Sequence, residues 1–259
     1  MQIAVVGCGW LGFPLAKSFV DKGHIVYGST THVSKISLLS EANINPVIWS
    51  LNVPLKELAF LEGIDILILN IPPSKTKDDQ ITYSDALKHF GGYLTEKTNV
   101  LFISTTSVYP DEIGIADISI PYKNMDQSKE TVLAEIKLRE VLKNRLTILR
   151  LAGLIGPNRH PITSLSKKGI VSNGDAPINL IHLDDVIGII HNIIEEGYWG
   201  KIINGCYPEH PTKKEYYTRA ANHYDLSIPK FIDGGYNLKK VDHSSLLNYH
   251  YEKAIFEFN

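Results

Sequence analysis

The sequence has few of the features that mark several large classes of protein. Its 259 residues include two cysteines, Cys8 and Cys206, which cannot form a disulfide framework and do not have metal-ligand spacing. No apolar run approaches the roughly 20 residues needed to span a bilayer. The 26 basic and 28 acidic residues give a formal net charge of −2, so there is no strong positive field to attract nucleic acid or an anionic membrane.

These absences predict a location and a class of partner. The first residues, MQIAVVGCGW, have no basic start followed by a long apolar stretch, so no signal peptide is predicted. A chain without a disulfide framework is expected in the reducing cytoplasm. We therefore expect a cytoplasmic protein whose partner is a small-molecule substrate or ligand, with no nucleic acid, no membrane and no metal ion involved.

The sequence does contain a regular alternation of short apolar runs and helical patterns. Runs such as IDILILNI and VLFIS are almost continuously apolar, which is typical of strands covered on both faces of a parallel sheet. The alternation predicts an α/β fold with a doubly wound parallel sheet. The predicted strands are Gln2–Val6, His24–Ser29, Asn45–Trp49, Asp65–Asn70, Asn99–Ser104 and Thr147–Leu151. The predicted helices are Gly12–Lys22, Ser34–Ala42, Pro54–Glu62, Asp79–Thr95 and Asp126–Asn144.

The segment IAVVGCGWLGFPLA places Gly7, Gly9 and Gly12 between the first predicted strand and the first predicted helix. A dinucleotide-binding turn needs glycine for its tight bend, for close approach of the pyrophosphate and for packing of the helix on the strand. Trp10 and Leu11 complete the turn, and the helix N-terminus would offer N–H groups to the phosphates. The sequence therefore predicts a Rossmann fold that binds a nicotinamide dinucleotide.

The end of the second predicted strand bears on the choice of cofactor. NAD-selective sites usually carry Asp or Glu about 20 residues after the glycine motif, where it binds the ribose hydroxyls. Here the sequence reads YGSTTHVSK, with Ser29, Thr30 and Thr31 at that place and with His32 and Lys35 as nearby cations. The absence of an acid favours NADP, although a polar turn of this kind can also accept NAD.

The carboxyl ends of the strands and the later part of the chain define the predicted domains. Asn70 and Pro72 follow the fourth strand and are predicted to line the cofactor, because ligands of such sheets bind at the carboxyl edge. After Gly153 the chain becomes turn-rich, with one further helix at DDVIGIIHNIIEE and short elements beyond Lys201. Residues 1–155 with 180–196 are predicted to form the NAD(P)-binding Rossmann domain, and residues 156–179 with 197–259 a small C-terminal substrate lobe.

Several segments resemble, in order, the motifs of the extended short-chain dehydrogenase/reductase proteins of the NAD-dependent epimerase/dehydratase family. VLFISTTSVYP resembles the segment that often reads SSxSVYG, LRLAGLIGPNRHP resembles LRxxxxYGPGR, and INLIHLDDVIGII resembles FIHVDDVA. IINGCYPEHPTKKEYY resembles the later strand and its acidic, proline-containing turn. The tight glycine motif departs from the usual GxxGxxG and alone would also suit β-hydroxyacid dehydrogenases, but it is shared by a short, atypical subgroup of this family.

The resemblance implies a catalytic Ser or Thr, a Tyr, and a Lys four residues after the Tyr. Thr105 matches the first of these. Alignment on the LAE of ETVLAE puts Gln127 at the Tyr position and Thr131 at the Lys position, so neither the proton carrier nor its cation is present. We expect these two residues at i and i+4 on one helix face. Tyr109 and Tyr122 are the candidate catalytic substitutes, and each could instead be a packing tyrosine.

Three polar residues of the later segments are predicted to bind the substrate. Arg159 and His160 in GPNRHP could bind a phosphate or carboxylate, and His182 in IHLDD either faces the substrate or braces the fold. Two functions are compatible with the sequence. One is an oxidoreductase or epimerase that acts on a small sugar-like substrate with NADP or NAD, and the other is a non-catalytic NADP-binding sensor or regulatory module. The resemblance also implies a homodimer, through the helix predicted at Asp126–Asn144.

Overall fold

The computed structural model describes residues 1–51, 59–73, 81–236, 238–243 and 248–258. Helices and strands alternate through the first part of the chain, as predicted. The strands are β1 (Gln2–Val6), β2 (Ile25–Thr30), β3 (Asn45–Ile48), β4 (Ile66–Leu69), β5 (Asn99–Thr105), β6 (Ile115–Ala116), β7 (Leu146–Leu151), β8 (Gly153–Ile155), β9 (Ile170–Val171), β10 (Leu180–His182), β11 (Ile202–Gly205), β12 (Lys230–Phe231) and β13 (Lys240–Val241). The α-helices are α1 (Gly12–Asp21), α2 (Ile36–Glu41), α3 (Tyr83–Tyr93), α4 (Glu130–Leu142), α5 (Ile162–Lys168), α6 (Leu183–Glu195) and α7 (Lys213–His223).

Within the described ranges the central sheet is parallel and has seven strands, in the order β11-β7-β5-β4-β1-β2-β3. This confirms the predicted doubly wound α/β fold. The strand order reverses at β1, which pairs with β2 on one side and with β4 on the other. Val6 at the end of β1 is in register with Ser29 of β2 and Leu69 of β4. The loops that follow these three strands therefore leave the sheet at neighbouring points of its carboxyl edge.

The apolar runs of the sequence form the buried strands. All four residues of β4 and all six of β7 are buried, as expected for strands covered on both faces. Helix α3 packs beside α4, where Glu130 accepts a hydrogen bond from the Ser84 N–H at 2.8 Å and the Lys137 ammonium lies 2.7 Å from the Asp85 carboxylate. In the described ranges no helix combines the length and the apolar character that a bilayer crossing requires.

The predicted helices differ from the observed ones mainly at their ends. Helix α2 begins at Ile36 because a 3₁₀ turn occupies Val33–Lys35, and α3 begins at Tyr83, where the Thr82 hydroxyl caps the Asp85 N–H. The helix predicted at Pro54–Glu62 lies largely outside the described residues, apart from a 3₁₀ turn at Ala59–Leu61. Residues 79 and 80 of the helix predicted at Asp79–Thr95 lie outside them as well.

The chain divides into two compact units. The first contains residues 1–104, 126–149 and 197–202, and the second contains residues 105–125, 150–196 and 203–259. Strand β11 lies at the edge of the central sheet, and residues 180–196 group with the second unit. The motif IING is too short and too polar at its end to be distinguished from lobe strands by pattern alone.

Candidate functional site

The three glycines of the turn after β1 meet different surroundings. Gly7 has a φ of +102°, and a Cβ added there would come within 3.0 Å of the Asn70 carbonyl oxygen. A Cβ on Gly12 would come within 3.0 Å of the Gly7 carbonyl oxygen. A Cβ on Gly9, which is exposed, would meet nothing within 4 Å. Gly7 and Gly12 are therefore required by the fold itself, whereas Gly9 is free of any such packing demand in the described structure.

Two predicted cofactor residues hold this turn in shape. The Ser29 hydroxyl accepts a hydrogen bond from the Gly7 N–H at 3.0 Å, and the Ser29 carbonyl accepts one from the Cys8 N–H at 2.8 Å. On the other side, the Asn70 side-chain amide donates to the Gly7 carbonyl at 3.0 Å. Ser29 and Asn70 thus fix the main chain of the turn from the two strands that flank β1.

Cys8, inside the turn, is a buried thiol. Its side chain is 4% exposed, and burial raises its pKa to about 12, opposed in part by the charge of Lys35. A thiol with so high a pKa is protonated at neutral pH and is a poor nucleophile. Cys8 is thus a small buried side chain of the turn and not a nucleophile.

The residues after β2 separate into buried and exposed groups. Thr30 is 6% exposed, and its hydroxyl accepts a hydrogen bond from the His32 N–H at 3.2 Å. Thr31 and His32 are exposed, and Lys35 is half-buried at the end of a 3₁₀ turn. The side chains placed to meet a ligand at this end of β2 are therefore those of Thr31, His32 and Lys35, while Thr30 braces the bend.

The residues around the turn fit a nicotinamide dinucleotide. Helix α1 begins at Gly12 with neither a side-chain cap nor an acidic residue in its first turn, so its N-terminus has the polarity that phosphates require. Gly9 leaves open space beside it, and Trp10 and Leu11 carry the main chain from that glycine into the helix. Pro72, predicted to line the cofactor, is exposed shortly after β4.

The shared helix face predicted for Gln127 and Thr131 is not formed. Helix α4 begins at Glu130, and Lys129 before it is extended with φ −79° and ψ 122°. The Asp126 carboxylate binds the N–H and hydroxyl of Ser128 at 3.0 and 2.6 Å, which closes a turn and delays the helix. Gln127 thus lies outside the helix that contains Thr131. The prediction that both residues share a helix face was wrong because the local Asx turn outcompetes helix formation.

The hydroxyl predicted to bind substrate lies at the end of β5. Thr105 is half-buried, and its Oγ1 accepts a hydrogen bond from the Ser107 N–H at 3.2 Å. An accepting hydroxyl keeps its own proton available for a further acceptor. In the same unit, Tyr122 is half-buried and the Arg150 guanidinium carbon lies 5.5 Å from the centre of its ring. A cation at this distance stabilises the electron-rich ring face.

Tyr109, the other candidate proton carrier, is part of a buried network. It is 1% exposed, and its hydroxyl donates to the Asn204 side-chain oxygen Oδ1 at 2.9 Å while accepting from Arg150 Nη1 at 2.8 Å. Asn204 in turn donates to the Asp242 carbonyl at 2.9 Å. Both functions of the Tyr109 hydroxyl are thus occupied, which suits a structural role. Sequence reasoning gave no sign of Arg150, which is 0% exposed on β7.

The three residues predicted to bind substrate have different settings within the second unit. Arg159 is exposed in the turn after β8. His160 is half-buried, stacks on Tyr216 with ring centres 5.6 Å apart, and its Nε2 lies 2.9 Å from the Tyr216 hydroxyl. Burial, with a smaller contribution from His223, lowers the pKa of His160 to about 4. The ring is neutral at pH 7, so it cannot serve as the cation that the sequence suggested.

His182 caps helix α6 and also lines a cavity. Its Nδ1 accepts a hydrogen bond from the Asp184 N–H at 3.2 Å. The cavity has a volume of about 350 Å³ and is lined by Pro157, Asn158, His182, Asp184 and Lys253. Among the described residues, no group of three or more histidine, cysteine, aspartate or glutamate side chains is arranged to hold a metal ion.

Comparison with known proteins finds relatives in sequence above 30% identity and solved structures with the same fold at lower identity. No family model matches the chain. The protein YeeZ of Escherichia coli is 31% identical over 258 residues, which covers 95% of this chain and 93% of YeeZ. UDP-glucuronic acid 4-epimerase from Bacillus cereus, solved in complex with NAD, is 18% identical, with a TM-score of 0.77 over 99% of this chain and 95% of the epimerase.

A human epimerase family protein, SDR39U1, solved with NADPH, is 13% identical to the chain. Its TM-score is 0.68, over 97% of this chain and 95% of the human protein. At these identities the solved structures establish the fold, and YeeZ establishes the relationship in sequence. The chain belongs to the YeeZ-like group of atypical extended short-chain dehydrogenase/reductase proteins, within the NAD-dependent epimerase/dehydratase family.

Proposed function

We propose that this protein binds a nicotinamide dinucleotide at the turn between β1 and α1. The observation that carries the proposal is the contrast among the three glycines. Gly7 and Gly12 are explained by contacts within the fold, whereas Gly9 is exposed beside a helix N-terminus and has open space where a side chain would be. A glycine in that position is accounted for by a pyrophosphate that approaches the main chain closely.

The cofactor that this site favours is NADP. No acid follows β2, and Thr31, His32 and Lys35 offer hydroxyl and cationic groups to a 2′-phosphate. Lys35 is the strongest of these because its ammonium group can form a charge-assisted hydrogen bond to the phosphate. In an NAD-selective site a carboxylate at this place would repel the 2′-phosphate of NADP. Here the groups at the end of β2 attract that phosphate instead.

Calorimetric titration of cofactor-free protein with NADP⁺, NADPH, NAD⁺ and NADH at fixed salt tests both statements. We expect NADP(H) to bind about 10-fold or more tightly than NAD(H), since each charge-assisted hydrogen bond to the phosphate contributes about 1.5–3 kcal/mol. In Lys35→Ala the preference should shrink by about the same factor, while NAD(H) affinity stays unchanged. As the matched control, Lys22→Ala at the exposed end of α1 should leave both affinities unaltered.

The outcomes separate the two parts of the proposal. Binding of all four compounds with equal affinity would discard the NADP preference and keep the dinucleotide site. If none of the four binds, the glycine turn has only a structural role, and the proposed function is withdrawn.

With cofactor bound, we propose an oxidoreductase or epimerase reaction on a small sugar-like substrate. Thr105 would bind the substrate oxygen through its hydroxyl, as the matching position does in the family, and Tyr122, near the Arg150 charge, is the candidate proton carrier. The nicotinamide would supply the hydride transfer. Tyr109 is proposed as a structural residue instead, because its hydroxyl is engaged by Asn204 and Arg150.

A non-catalytic sensor or regulatory module is the second candidate, and the turn at Asp126–Ser128 favours it. That turn holds Gln127 outside α4, so the chain lacks both the chemistry and the helical placement of the usual catalytic pair. General acid–base groups contribute about 10²- to 10⁴-fold to such reactions. A protein that lacks them and has no replacement would bind the cofactor without turnover.

A screen with the preferred cofactor against small aldoses, ketoses and sugar acids decides between the candidates. It follows the absorbance of the reduced cofactor and analyses the products for epimers. We expect turnover, which in Thr105→Val should fall by about 100-fold or more with cofactor affinity unchanged. Thr105→Ser, which keeps the hydroxyl, should retain most of it, and Thr163→Val at an exposed site should match the wild-type protein. Unchanged turnover in Thr105→Val would remove Thr105 from the mechanism, and no turnover in the wild-type protein would favour the sensor.

A further inference from the structure

The cavity beside His182 has the dimensions of a small ligand site. Its volume of about 350 Å³ lies near the lower end of the roughly 300–1,000 Å³ typical of small-molecule pockets. It is formed within the second unit by the turn after β8, the start of α6 and the segment near the C-terminus. A ligand of monosaccharide size fits this space, whereas a nucleotide sugar exceeds it.

The turn that contributes Asn158 is held in a fixed shape. Gly156 and Arg159 exchange two main-chain hydrogen bonds, of 3.1 and 3.0 Å, which close a two-residue turn over Pro157 and Asn158. Asn158 has a left-handed backbone with a φ of 58°, a conformation that asparagine tolerates better than most residues. Asn158 therefore lines the cavity from a turn that two main-chain hydrogen bonds close.

The hydrogen bonding of His182 determines which ring nitrogen can serve a ligand. Because Nδ1 accepts from the Asp184 N–H, the proton of the neutral ring must lie on Nε2, which is then a donor. The Asp184 carboxylate lies 3.5 Å from Nδ1 and is half exposed. His182 and Asp184 thus give the cavity a hydrogen-bond donor, Nε2–H, and a hydrogen-bond acceptor, the Asp184 carboxylate.

Lys253 is brought to the cavity by a buried carboxylate. Asp185, which is 0% exposed, accepts hydrogen bonds from the Glu252 N–H at 2.7 Å, the Lys253 N–H at 3.3 Å and the Tyr249 hydroxyl at 3.0 Å. Tyr249 packs on Gly188, where a Cβ would come within 3.0 Å of its ring. The main chain that carries the Lys253 ammonium is therefore anchored to the first turns of α6.

We propose that this cavity binds a small hydroxylated anion, such as a sugar acid or a sugar phosphate. The Lys253 ammonium and the His182 Nε2–H donate to the oxyanion, Asn158 adds its amide group, and the Asp184 carboxylate accepts from a ligand hydroxyl. Charge-assisted hydrogen bonds of this kind are about twice as strong as neutral ones. The inference rests on the proposed function in taking the bound anion to be part of the substrate, and it narrows that substrate to an acidic or phosphorylated sugar.

Binding of gluconate, glucose 6-phosphate and glucose to the cofactor-free protein tests this inference by calorimetry at fixed low salt. We expect at least one of the two anions to bind about 10-fold or more tightly than glucose. Preference for gluconate identifies a carboxylate site, and preference for glucose 6-phosphate a phosphate site. Lys253→Gln should weaken the preferred anion by about 10-fold or more, while Lys168→Gln, exposed at the end of α5, should bind it as the wild-type protein does.

Three results would overturn the inference: equal affinity for glucose and the anions, no detectable binding of either anion, or unchanged affinity in Lys253→Gln. Dinucleotide titration of the same preparations distinguishes failure of this site from failure of the proposed function. A protein that binds NADPH but neither anion retains its dinucleotide site and loses only the anion site. Urea unfolding of Lys253→Gln, expected to match the wild-type protein because the anchoring groups are main-chain atoms, verifies that a lost affinity reflects the missing ammonium.

Discussion

A Gly9→Ala variant is expected to fold as stably as the wild-type protein and to bind NADPH about 10-fold or more weakly. The added methyl group meets no protein atom within 4 Å, and Gly9 does not have a positive φ, so the free energy of unfolding should change by less than about 0.5 kcal/mol. The same methyl group occupies the space through which the pyrophosphate approaches the main chain, and a tenfold loss corresponds to about 1.4 kcal/mol.

Gly12→Ala is the matched variant, with the same chemical change and the opposite expectation for stability. Its Cβ would come within 3.0 Å of the Gly7 carbonyl oxygen and of the Asn70 side chain, and the Gly7 main chain is held in place by its hydrogen bonds to Ser29 and Asn70. We expect a loss of about 3 kcal/mol or more, measured by urea unfolding with the slope unchanged. Gly92→Ala, exposed at the end of α3, should leave NADPH affinity untouched and keep or slightly raise stability.

These three alanine variants test the assignment directly. Unchanged NADPH affinity in Gly9→Ala would mean that no pyrophosphate approaches this turn, and the proposed function would lose its main support. Wild-type stability in Gly12→Ala would contradict the packing of α1 on the end of β1.

The second large effect is expected from Asn204→Leu, which should lower the free energy of unfolding by roughly 3–5 kcal/mol. The Asn204 side chain is 0% exposed and makes two hydrogen bonds. Its oxygen accepts from the Tyr109 hydroxyl and its amide group donates to the Asp242 carbonyl, and the substitution removes both. Each buried polar group left without a partner costs about 1–3 kcal/mol. The leucine side chain, although similar in size, cannot replace any of these hydrogen bonds.

Tyr109→Phe probes the same network with a smaller change. It removes the acceptor of Arg150 Nη1 while it keeps the ring that faces the guanidinium at 4.8 Å, so a loss of about 1.5–3 kcal/mol is expected. Asn222→Leu, exposed on α7, is the matched control for Asn204→Leu and should change stability by less than about 0.5 kcal/mol. If Asn204→Leu or Tyr109→Phe unfolds at the wild-type urea concentration, the network does not stabilise the fold and Tyr109 returns as a candidate proton carrier.

The sheet and the glycine turn could be predicted because their signals are local. β4 is apolar along its whole length and β7 is apolar apart from Thr147 and Arg150, and burial on both faces of a parallel sheet favours such runs. Gly7 and Gly12 were predicted for the right physical reason, since a bend and a close contact each exclude a Cβ. The ends of helices were less predictable, as α4 shows: one carboxylate, Asp126, was enough to delay it to Glu130.

The roles of individual polar side chains depended on contacts between distant parts of the chain. Ser29 and Asn70 stood at predicted cofactor positions, and the structure shows that both also brace Gly7 from neighbouring strands. Lys253 lies beside its cavity because Asp185, 68 residues earlier, binds its main chain. The loop sequence predicts that His160 binds an anion, yet burial against aromatic rings such as that of Tyr216 lowers its pKa and keeps the imidazole neutral.

The sequence by itself determined the fold class, the family and the place of the glycine turn, because periodic apolar runs and glycines constrain the backbone through short-range sterics and burial. The tertiary structure alone decided which hydroxyl and charged side chains are available to a ligand and which form hydrogen bonds within the protein. Thr30 and Tyr109 hydrogen-bond inside the protein, whereas Lys35 and Lys253 remain beside the proposed ligand sites. The reason is that hydrogen bonds and desolvation act between groups that only folding brings together, and no spacing along the chain encodes them.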